Sequence, residues 1–457
     1  MFEKQPFLGG VCNRFSEDGF TFDAGPSWWL MNDIYEQFFG LVGEKMSDHI
    51  RLTRLSPHAR VIFDASGDIF DYGASEEGDR AFFEKKSPGS WDRYQSYLKE
   101  GENLYDLSQK YFLHENYDSA FHFVRPSYLP LLPSLRLFSS IKGEVAKVAR
   151  GSDEIGALLS FPSAFLGAPP EHLPALFSFL GSSLVKGVFY PAGGMYSIVE
   201  ALVALGKKYG VEYLTGVETK TIVRGGDRAT GVLLSDGREI SCDAVVSAVD
   251  ASYTRTHLLG ESGVSPLKPS YSVLLLYLGV QGAIPELAHH TIFFSPDRGR
   301  QFREIEIGEL PYEPSLYITA TSKTDPSTAP VGAENLFVLV PIGARAYEKE
   351  ELANYADFIE SYIEEKLKIP NFKKRIIYRK SVGGSFFSEQ YGTYGNSALG
   401  PAHTLMQSGP WRHNNVHPSI KNLYFAGSST NPGIGIPPTL LSAERAWKRI
   451  VNDFPQK

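Results

Sequence analysis

The C-terminal segment, residues 422–451, constrains the fold more than any other part of the chain. Its sequence, NLYFAGSSTNPGIGIPPTLLSAERAWKRIV, predicts a buried strand, a glycine-rich turn and a helix. Pro437 and Pro438 suit the start of that helix, because the first helical N–H groups have no intrahelical acceptor. The remaining free N–H groups would form a positive pole suited to anionic or electron-rich ligand atoms. This segment therefore predicts a ligand-binding strand–turn–helix unit.

Length and composition bound the class of protein. With 457 residues, the chain exceeds the roughly 250–300 residues at which one hydrophobic core stops growing, so we expect two domains sharing a ligand. Hydrophobic residues make up 42% and charged residues 21%, as in ordinary globular proteins. A formal net charge of -7 argues against nucleic-acid binding. The distant Cys12 and Cys242 indicate neither a disulfide framework nor a zinc site, and they fit a reducing cytoplasm.

Any membrane contact is expected to be peripheral. The sequence has no run of 18 apolar residues and no apolar signal-peptide core at its start. Residues 127–149, SYLPLLPSLRLFSSIKGEVAKVA, combine apolar side chains with Arg136, Lys142 and Lys147, as an interfacial segment would. A half-buried helical arm explains the same pattern equally well. The interfacial interpretation places the protein in the cytoplasm, on the inner face of the cell membrane.

Helix and strand patterns follow one another through the second half of the chain. Asp236-Gly237 is a typical turn between the two strands of a hairpin. The sequence predicts helices at 197–208 and 353–367, and strands at 243–249, 270–279 and 335–342.

Glu3 and the glycine pair Gly9-Gly10 stand near the start. In a nucleotide-binding α/β fold, an acidic residue at a strand end holds a ribose hydroxyl, and glycines let the backbone approach a diphosphate. A surface glutamate and an ordinary turn explain the same residues.

Six segments recur in this order in the bacterial-type phytoene desaturases, a family of flavoprotein oxidoreductases that the sequence resembles from Glu3 to the last helix. They are GFTFDAGPS (19–27), FYPAGGM (189–195), LLLYLGV (274–280), HHTIFFS (289–295), TDPSTAPVG (324–332) and LYFAGSSTNPGIGIP (423–437).

The resemblance implies an α/β fold with two domains. A glutathione-reductase-like FAD-binding domain would comprise residues 1–75, 186–262 and 415–457. An α+β substrate-binding domain with a mainly antiparallel sheet would comprise residues 76–185 and 263–414. Family members open with a strand, a GxGxxG loop and a helix, about 30 residues that precede the acid represented by Glu3. We therefore expect an N-terminally truncated chain whose FAD-binding domain lacks its first βα unit.

The resemblance also implies cofactor-binding roles near the N-terminus. Glu3 matches the ribose-binding acid, and Gly9 and Gly10 match the loop beside the diphosphate. Val11 stands where the family has an arginine, so charge neutralisation there would fall to Arg14.

Further cofactor-binding residues are implied in the second half. Thr219 matches a strand position whose backbone pairs with the adenine, although an ordinary edge-strand threonine is as good an explanation. Asp250 matches a family aspartate, although capping of the following helix explains it too. The last motif places Gly427 against the diphosphate and ribityl chain, and three residues beneath the isoalloxazine ring: Gly435, Ile436 and Pro437.

The implied activity is flavin-dependent desaturation of a long apolar carotenoid such as phytoene, by hydride transfer to flavin N5. Oxygen or a quinone would be the electron acceptor. Asp153 is the catalytic candidate, and the pair His289-His290 could touch the substrate or the quinone, while no metal site is indicated. Five phenylalanines could line an apolar tunnel or form ordinary core: Phe161, Phe165, Phe177, Phe179 and Phe189.

Other activities share this fold. A carotenoid isomerase or a carotenoid oxidase is the nearest alternative, and a non-catalytic, flavin-free remnant that binds a polyene or lipid is another. An amine oxidase is disfavoured, because the segments TDPSTAPVG and HHTIFFS would then have no reason to appear.

Overall fold

A computed structural model describes residues 1–117, 119, 121–122, 125–126, 128–264 and 267–455. The strands are β1 (Phe2–Glu3), β2 (Arg14–Glu17), β3 (Phe20–Asp23), β4 (Leu52–Arg54), β5 (Ala59–Phe63), β6 (Ile69–Tyr72), β7 (Phe189–Pro191), β8 (Leu214–Thr215), β9 (Thr219–Gly225), β10 (Arg228–Leu234), β11 (Glu239–Ser241), β12 (Val245–Ser247), β13 (Ser272–Gln281), β14 (His290–Phe294), β15 (Leu316–Thr319), β16 (Ala333–Ile342), β17 (Ile376–Gly383) and β18 (Leu423–Phe425).

The α-helices are α1 (Asn32–Leu41), α2 (Glu76–Lys86), α3 (Ser90–Ser108), α4 (Ile141–Ala149), α5 (Asp153–Ser160), α6 (Phe179–Lys186), α7 (Ser197–Lys208), α8 (Ala251–Tyr253), α9 (Arg298–Ile307), α10 (Lys349–Lys366), α11 (Phe372–Arg375), α12 (Phe386–Tyr391) and α13 (Ile436–Asp453). The mixed α/β class is confirmed.

The largest sheet has the strand order β17-β13-β16-β15-β14-β5-β6 and is antiparallel except where β14 meets β5. Side chains of β13 alternate between two hydrophobic cores, as the two-residue period of a strand requires. Leu275 and Tyr277 join an aromatic core with α2 to α5, whereas Leu274 and Leu276 join a second core with α10. The sheet is therefore buried on both faces, which explains the nearly continuous apolar sequence of its central strands.

Two small parallel pairs form a separate part of the fold. β1 pairs with β8, and β12 pairs with β18. The expected hairpin is confirmed, because β10 and β11 pair antiparallel around Asp236-Gly237. Residues 59–72, grouped with the N-terminus in the sequence-based division, form β5 and β6 of the large sheet. The division into domains stays a prediction.

The candidate membrane segment has two parts, and its first residue, Ser127, lies outside the described residues. In α4, Ile141, Val145 and Val148 are buried in the aromatic core, so this part is the half-buried helical arm. The loop before it projects from the surface, and Phe138 is 95% exposed. Within the described ranges, no helix combines the length and the apolar character that crossing a membrane needs.

Candidate cofactor and substrate site

The ends of β12 and β18 lie side by side because the two strands are parallel. Gly427 follows β18 with a φ of 129°, which favours glycine, and its N–H donates to Ser442 Oγ at 3.0 Å. A Cβ on Gly427 would have a single neighbour within 4 Å among the described residues, the Ala248 carbonyl oxygen at 3.5 Å. The turn therefore has room for a ligand to approach the backbone closely.

Asp250, at the end of β12, caps α8. Its Oδ1 accepts hydrogen bonds from the N–H groups of Ser252 at 2.8 Å and Tyr253 at 3.2 Å. Burial raises the pKa of this carboxyl, and the two N–H donors partly offset that effect. The capping explanation is confirmed, and a contact between Asp250 and the cofactor stays a prediction.

Arg412 holds the turn after Gly427 and was not singled out from the sequence. Its buried guanidinium donates to the carbonyl oxygens of Thr430 at 3.1 Å, Pro401 at 3.1 Å and Ser428 at 2.5 Å. Burial lowers its pKa to about 10. Only the folded chain brings these carbonyl groups around one side chain, so no local pattern could have indicated the role.

We expect Arg412→Lys to destabilise the protein by about 2 kcal/mol, because an ammonium cannot reproduce the planar set of donors and would leave buried carbonyls unpaired. The midpoint of urea unfolding measures the loss. Arg300→Lys is the matched control, since Arg300 is half-exposed and pairs with Glu304 on the surface of α9. Equal midpoints for the two variants would contradict the role of Arg412.

The N-terminal glycines differ in what surrounds them. A Cβ on Gly9 would lie 2.4 Å from the Cys12 carbonyl oxygen and 3.0 Å from the Val199 side chain, so Gly9 is needed for packing against α7. Gly10 has nothing within 4 Å of such a Cβ among the described residues. Of these two glycines, Gly10 is therefore the one whose backbone a ligand can approach.

Arg14 is already engaged by the protein. Its guanidinium donates to the Gly193 carbonyl oxygen and to Glu200 Oε1, each at 2.8 Å. Glu200 therefore balances the positive charge that was expected to serve a diphosphate, and a cofactor contact from Arg14 stays a prediction.

Glu3 and Thr219 lie in strands of two different small sheets, β1 and β9. Glu3 ends β1, where its Oε1 accepts from the Gln5 N–H at 2.8 Å and its carbonyl oxygen accepts from the Val217 N–H at 3.0 Å. Thr219, two residues after Val217, is the first residue of β9. Gln5 in turn exchanges side-chain and backbone hydrogen bonds with Gln390, so the end of β1 is tied to α12.

The last of the predicted cofactor-binding residues lie at the start of α13. Gly435 precedes this helix with a φ of 111°, and Pro437 occupies its first turn. Ile436 packs in a cluster with Cys12 and Met195. The structure thus brings the last motif together with the loop after Gly10, and Asp250 together with Gly427. Glu3 contacts Val217, two residues before Thr219.

Asp153 lies apart from these groups. It is exposed in the first turn of α5, and its carbonyl oxygen accepts from Arg298 at 3.3 Å. It lines neither of the two cavities described below. A catalytic role for Asp153 stays a prediction without support from its position.

A small polar cavity lies beside Asp23, in the segment GFTFDAGPS. Its walls are Phe22, Asp23, Ser27, Tyr190, Thr319, Thr321, Asn335 and Phe337. The Oδ1 atom of Asp23 is shielded from solvent and has no hydrogen-bond partner in the part of the chain that the structure describes. Burial raises the pKa of Asp23 to about 6, although the N–H groups of Met195 and Tyr196 favour its charged form. Asp23 therefore combines a perturbed pKa with a place on a cavity wall, which is typical of functional carboxylates.

A second small cavity has mostly apolar walls. Its walls are Trp28, His58, Ala59, Tyr72, Leu158, Leu159, Phe161, Pro162, Gly181, Leu184 and Ile292. Phe161 is the one member of the five expected phenylalanines on these walls. Its walls therefore offer apolar surface to a ligand.

The residues present fit a flavin nucleotide in two respects. The backbone at Gly10 and Gly427 is open where a Cβ would otherwise lie. The 18-residue helix α13 begins directly after the turn at Gly435, so its free N–H groups can face electron-rich ligand atoms. These residues would hold the nucleotide and ring portions of the cofactor.

Comparison with a solved structure defines the fold class. The chain is similar to a crystal structure of an oxidoreductase from Methanosarcina mazei, with a TM-score of 0.62 and 16% identity over 98% of this chain and 93% of that one. The two proteins therefore share a fold.

The sequence comparisons identify the family. The model of the flavin containing amine oxidoreductases matches residues 1–451, so the chain belongs to that family and is a flavin-dependent oxidoreductase. It is 32% identical over 468 residues to the carotenoid 3,4-desaturase of Haloarcula japonica, covering 99% of this chain and 93% of that protein. It is 31% identical over 463 residues to the zeta-carotene-forming phytoene desaturase of Myxococcus xanthus, covering 99% and 89%. The resemblance to carotenoid desaturases is confirmed.

Proposed function

We propose that the protein uses FAD to desaturate a long apolar carotenoid. The observation that carries the proposal is the similarity to a carotenoid 3,4-desaturase over 99% of this chain. The apolar cavity and the open backbone at Gly427 support it, because they offer apolar surface to a polyene and close backbone approach to a flavin nucleotide respectively. The flavin, when bound, supplies hydride acceptance at N5 and passes electrons on to oxygen or a quinone.

The chain's own part is to bind and orient the polyene, to exclude water and to remove a proton. Desaturation takes a proton as well as a hydride, so a base must lie inside the protein. Asp23 Oδ1 has no hydrogen-bond partner among the described residues, and with a pKa of about 6 the carboxyl is ionised at neutral pH. We therefore propose Asp23, rather than the exposed Asp153, as the group that holds this proton.

The test is to express the chain, record the absorption spectrum of the purified protein and incubate it with phytoene in liposomes. A flavin spectrum and a red-shifted product with fewer hydrogens by mass are expected. An unchanged mass with altered geometry would favour an isomerase, and added oxygen would favour an oxidase. Carotenoid binding without flavin would favour a non-catalytic protein.

We also propose that the substrate arrives from a membrane surface, at the inner face of the cell membrane. The support is the exposed loop before α4, where Phe138 is 95% and Leu129 48% exposed. Arg136 in this loop pairs with Glu100 at 2.9 Å and Glu144 at 2.6 Å, so its charge is largely balanced within the protein. Apolar insertion is therefore the main expected contribution.

We expect Phe138→Asp to weaken liposome binding by about tenfold, because inserting a phenylalanine ring into the interface contributes of the order of a large buried side chain. Cosedimentation with anionic liposomes measures the change. Val331→Asp is the control, since Val331 is fully exposed in the loop before β16. Equal losses in both variants would show that Phe138 has no special contact with the membrane.

A further inference from the structure

His403 contacts the turn that leads into α13. It is 3% exposed, and its Nε2 accepts a hydrogen bond from the N–H of Ile434 at 3.0 Å. Ile434 directly precedes Gly435, the N-cap residue of α13. The imidazole therefore holds the turn at the end that leads into the helix.

The fit between His403 and this turn is close. A Cβ on Gly433 would overlap the Cε1 and Nε2 atoms of the imidazole, so a larger residue does not fit there unless the ring moves. Gly433 also has a φ of 139°, a conformation that glycine adopts far more readily than other residues. Because the imidazole packs against Gly433 and bonds to Ile434, it contacts two successive residues of the turn.

The protonation state of the imidazole suits this contact. Burial, with a smaller effect of the nearby Arg412 guanidinium, holds the pKa of His403 well below its ordinary value. The ring is therefore neutral at pH 7, and the nitrogen that accepts from Ile434 is the unprotonated one. Among the described residues, Nδ1 has no hydrogen-bond partner, so the side chain makes its hydrogen bond to the turn alone.

The backbone of His403 is tied to the substrate side of the protein. Its N–H donates to the Leu166 carbonyl oxygen at 3.0 Å, and its ring contacts Phe177 edge to face, with centroids 5.2 Å apart. Leu166 ends a 3₁₀ helix whose first residue, Phe161, lies on the wall of the apolar cavity. One residue thus connects the element beside the apolar cavity with the turn before α13.

Arg412 holds the first half of the same turn, through the carbonyl oxygens of Ser428 and Thr430. The contacts of His403 lie further along, at Gly433 and Ile434. The two side chains are therefore separate anchors, and His403 is the one beside the start of α13.

We propose that His403 is a positioning residue for the flavin: by holding Gly433 and Ile434, it sets where the free N–H groups at the start of α13 lie relative to the isoalloxazine ring. Such N–H groups stabilise the negative charge of a reduced ring. The inference rests on the proposed function, and it adds a residue that acts on the cofactor through the turn.

Three variants of His403 test the role. His403→Leu removes the acceptor, whereas the Oε1 atom of His403→Gln can accept from the Ile434 N–H in place of Nε2. His403→Asn is polar like glutamine but too short to reach that N–H, so it takes the place of His403→Leu if the leucine variant does not fold.

The first measurement is the midpoint potential of the flavin in the purified holoprotein, without carotenoid. We expect His403→Leu to bind reduced flavin, relative to oxidised flavin, about tenfold more weakly, which corresponds to a two-electron potential about 30 mV more negative. His403→Gln should restore most of the difference. In desaturation assays, kcat of His403→Leu should fall about threefold with little change in KM, since the contacts to the polyene remain.

Hydrogen exchange followed by mass spectrometry tests the bond itself. The N–H of Ile434 should exchange at least about tenfold faster in His403→Leu, because it has lost its acceptor, and should stay protected in His403→Gln.

His417→Leu is the matched control. His417 is 4% exposed, and its Nδ1 accepts from the N–H groups of Ser419 at 3.2 Å and Ile420 at 2.9 Å, in the loop before β18. This variant loses buried hydrogen bonds of the same kind away from the turn, so it should leave the flavin potential unchanged. Equal shifts of the potential in His417→Leu and His403→Leu overturn the inference, as does an unchanged potential in His403→Leu.

These outcomes are separate from failure of the proposed function. A shifted potential in His403→Leu, in a protein that desaturates no carotenoid, would refute the desaturase proposal alone. An unchanged potential and unchanged exchange at Ile434, in a protein that desaturates carotenoids, would refute the positioning role alone.

Discussion

A Gly427→Val protein is expected to be purified without flavin while its fold remains intact. The side chain of valine would project from the turn after β18 into a space where, among the described residues, the Ala248 carbonyl oxygen is the one neighbour, at 3.5 Å. A cofactor that lies against this turn could then no longer approach the backbone. We expect flavin affinity to fall by more than about a hundredfold, which corresponds to losing roughly 3 kcal/mol of binding free energy.

The measurement is the flavin absorbance per mole of purified protein, together with the circular dichroism spectrum. Valine is also strained at a φ of 129°, at a cost of about 1–3 kcal/mol. Gly237→Val controls for such strain, because Gly237 has a φ of 87° in the hairpin turn and open space around it. If Gly427→Val retained its flavin, the turn after β18 would not touch the cofactor.

Asp23→Asn is expected to keep its flavin and to lose turnover by about 10²- to 10⁴-fold, the usual contribution of a general base. An amide can accept the same N–H groups of Met195 and Tyr196 but cannot take up a proton. The rate of carotenoid desaturation in liposomes, at saturating substrate, measures the loss.

The dependence on pH provides a second measurement. Burial raises the pKa of Asp23 to about 6, so its carboxylate, the active form of a base, disappears as the pH falls through that value. Activity of the unaltered protein should therefore decrease about tenfold per pH unit below about 6. The residual activity of Asp23→Asn should lack this decrease. Asp18→Asn, which changes an exposed carboxylate in the turn between β2 and β3, should leave the profile unchanged. If the activity of Asp23→Asn still decreased at low pH as in the unaltered protein, the decrease would have to be assigned to another titrating group.

The same carboxyl illustrates the limit of sequence reasoning at this site. Asp153 is the catalytic candidate that the resemblance implies, yet it is exposed at a helix start. Asp23 lies in the segment GFTFDAGPS, but its residue type alone does not indicate that the side chain is buried. Its raised pKa depends on the elements that enclose it, and these come from distant parts of the chain.

Regular elements and the family could be predicted because their signals are local or ordered along the chain. The helix at 197–208 has an apolar face at helical spacing and is found as α7. The apolar runs in β13 and β16 and the strand–turn–helix at the C-terminus are likewise present as expected. The six ordered segments identified the desaturase resemblance, which the comparisons confirmed.

By itself, then, the sequence determined the α/β class, the elements with strong periodicity and the flavoprotein family, because hydrophobic spacing and turn chemistry act over a few residues. Only the tertiary structure decided that residues 59–72 join the large sheet, that Arg412 holds the turn after Gly427, and that Asp23 and His58 lie on cavity walls. Each of these depends on contacts between residues far apart in the chain. Strand pairing, burial and the resulting pKa shifts arise only once those contacts form, so no local pattern encodes them.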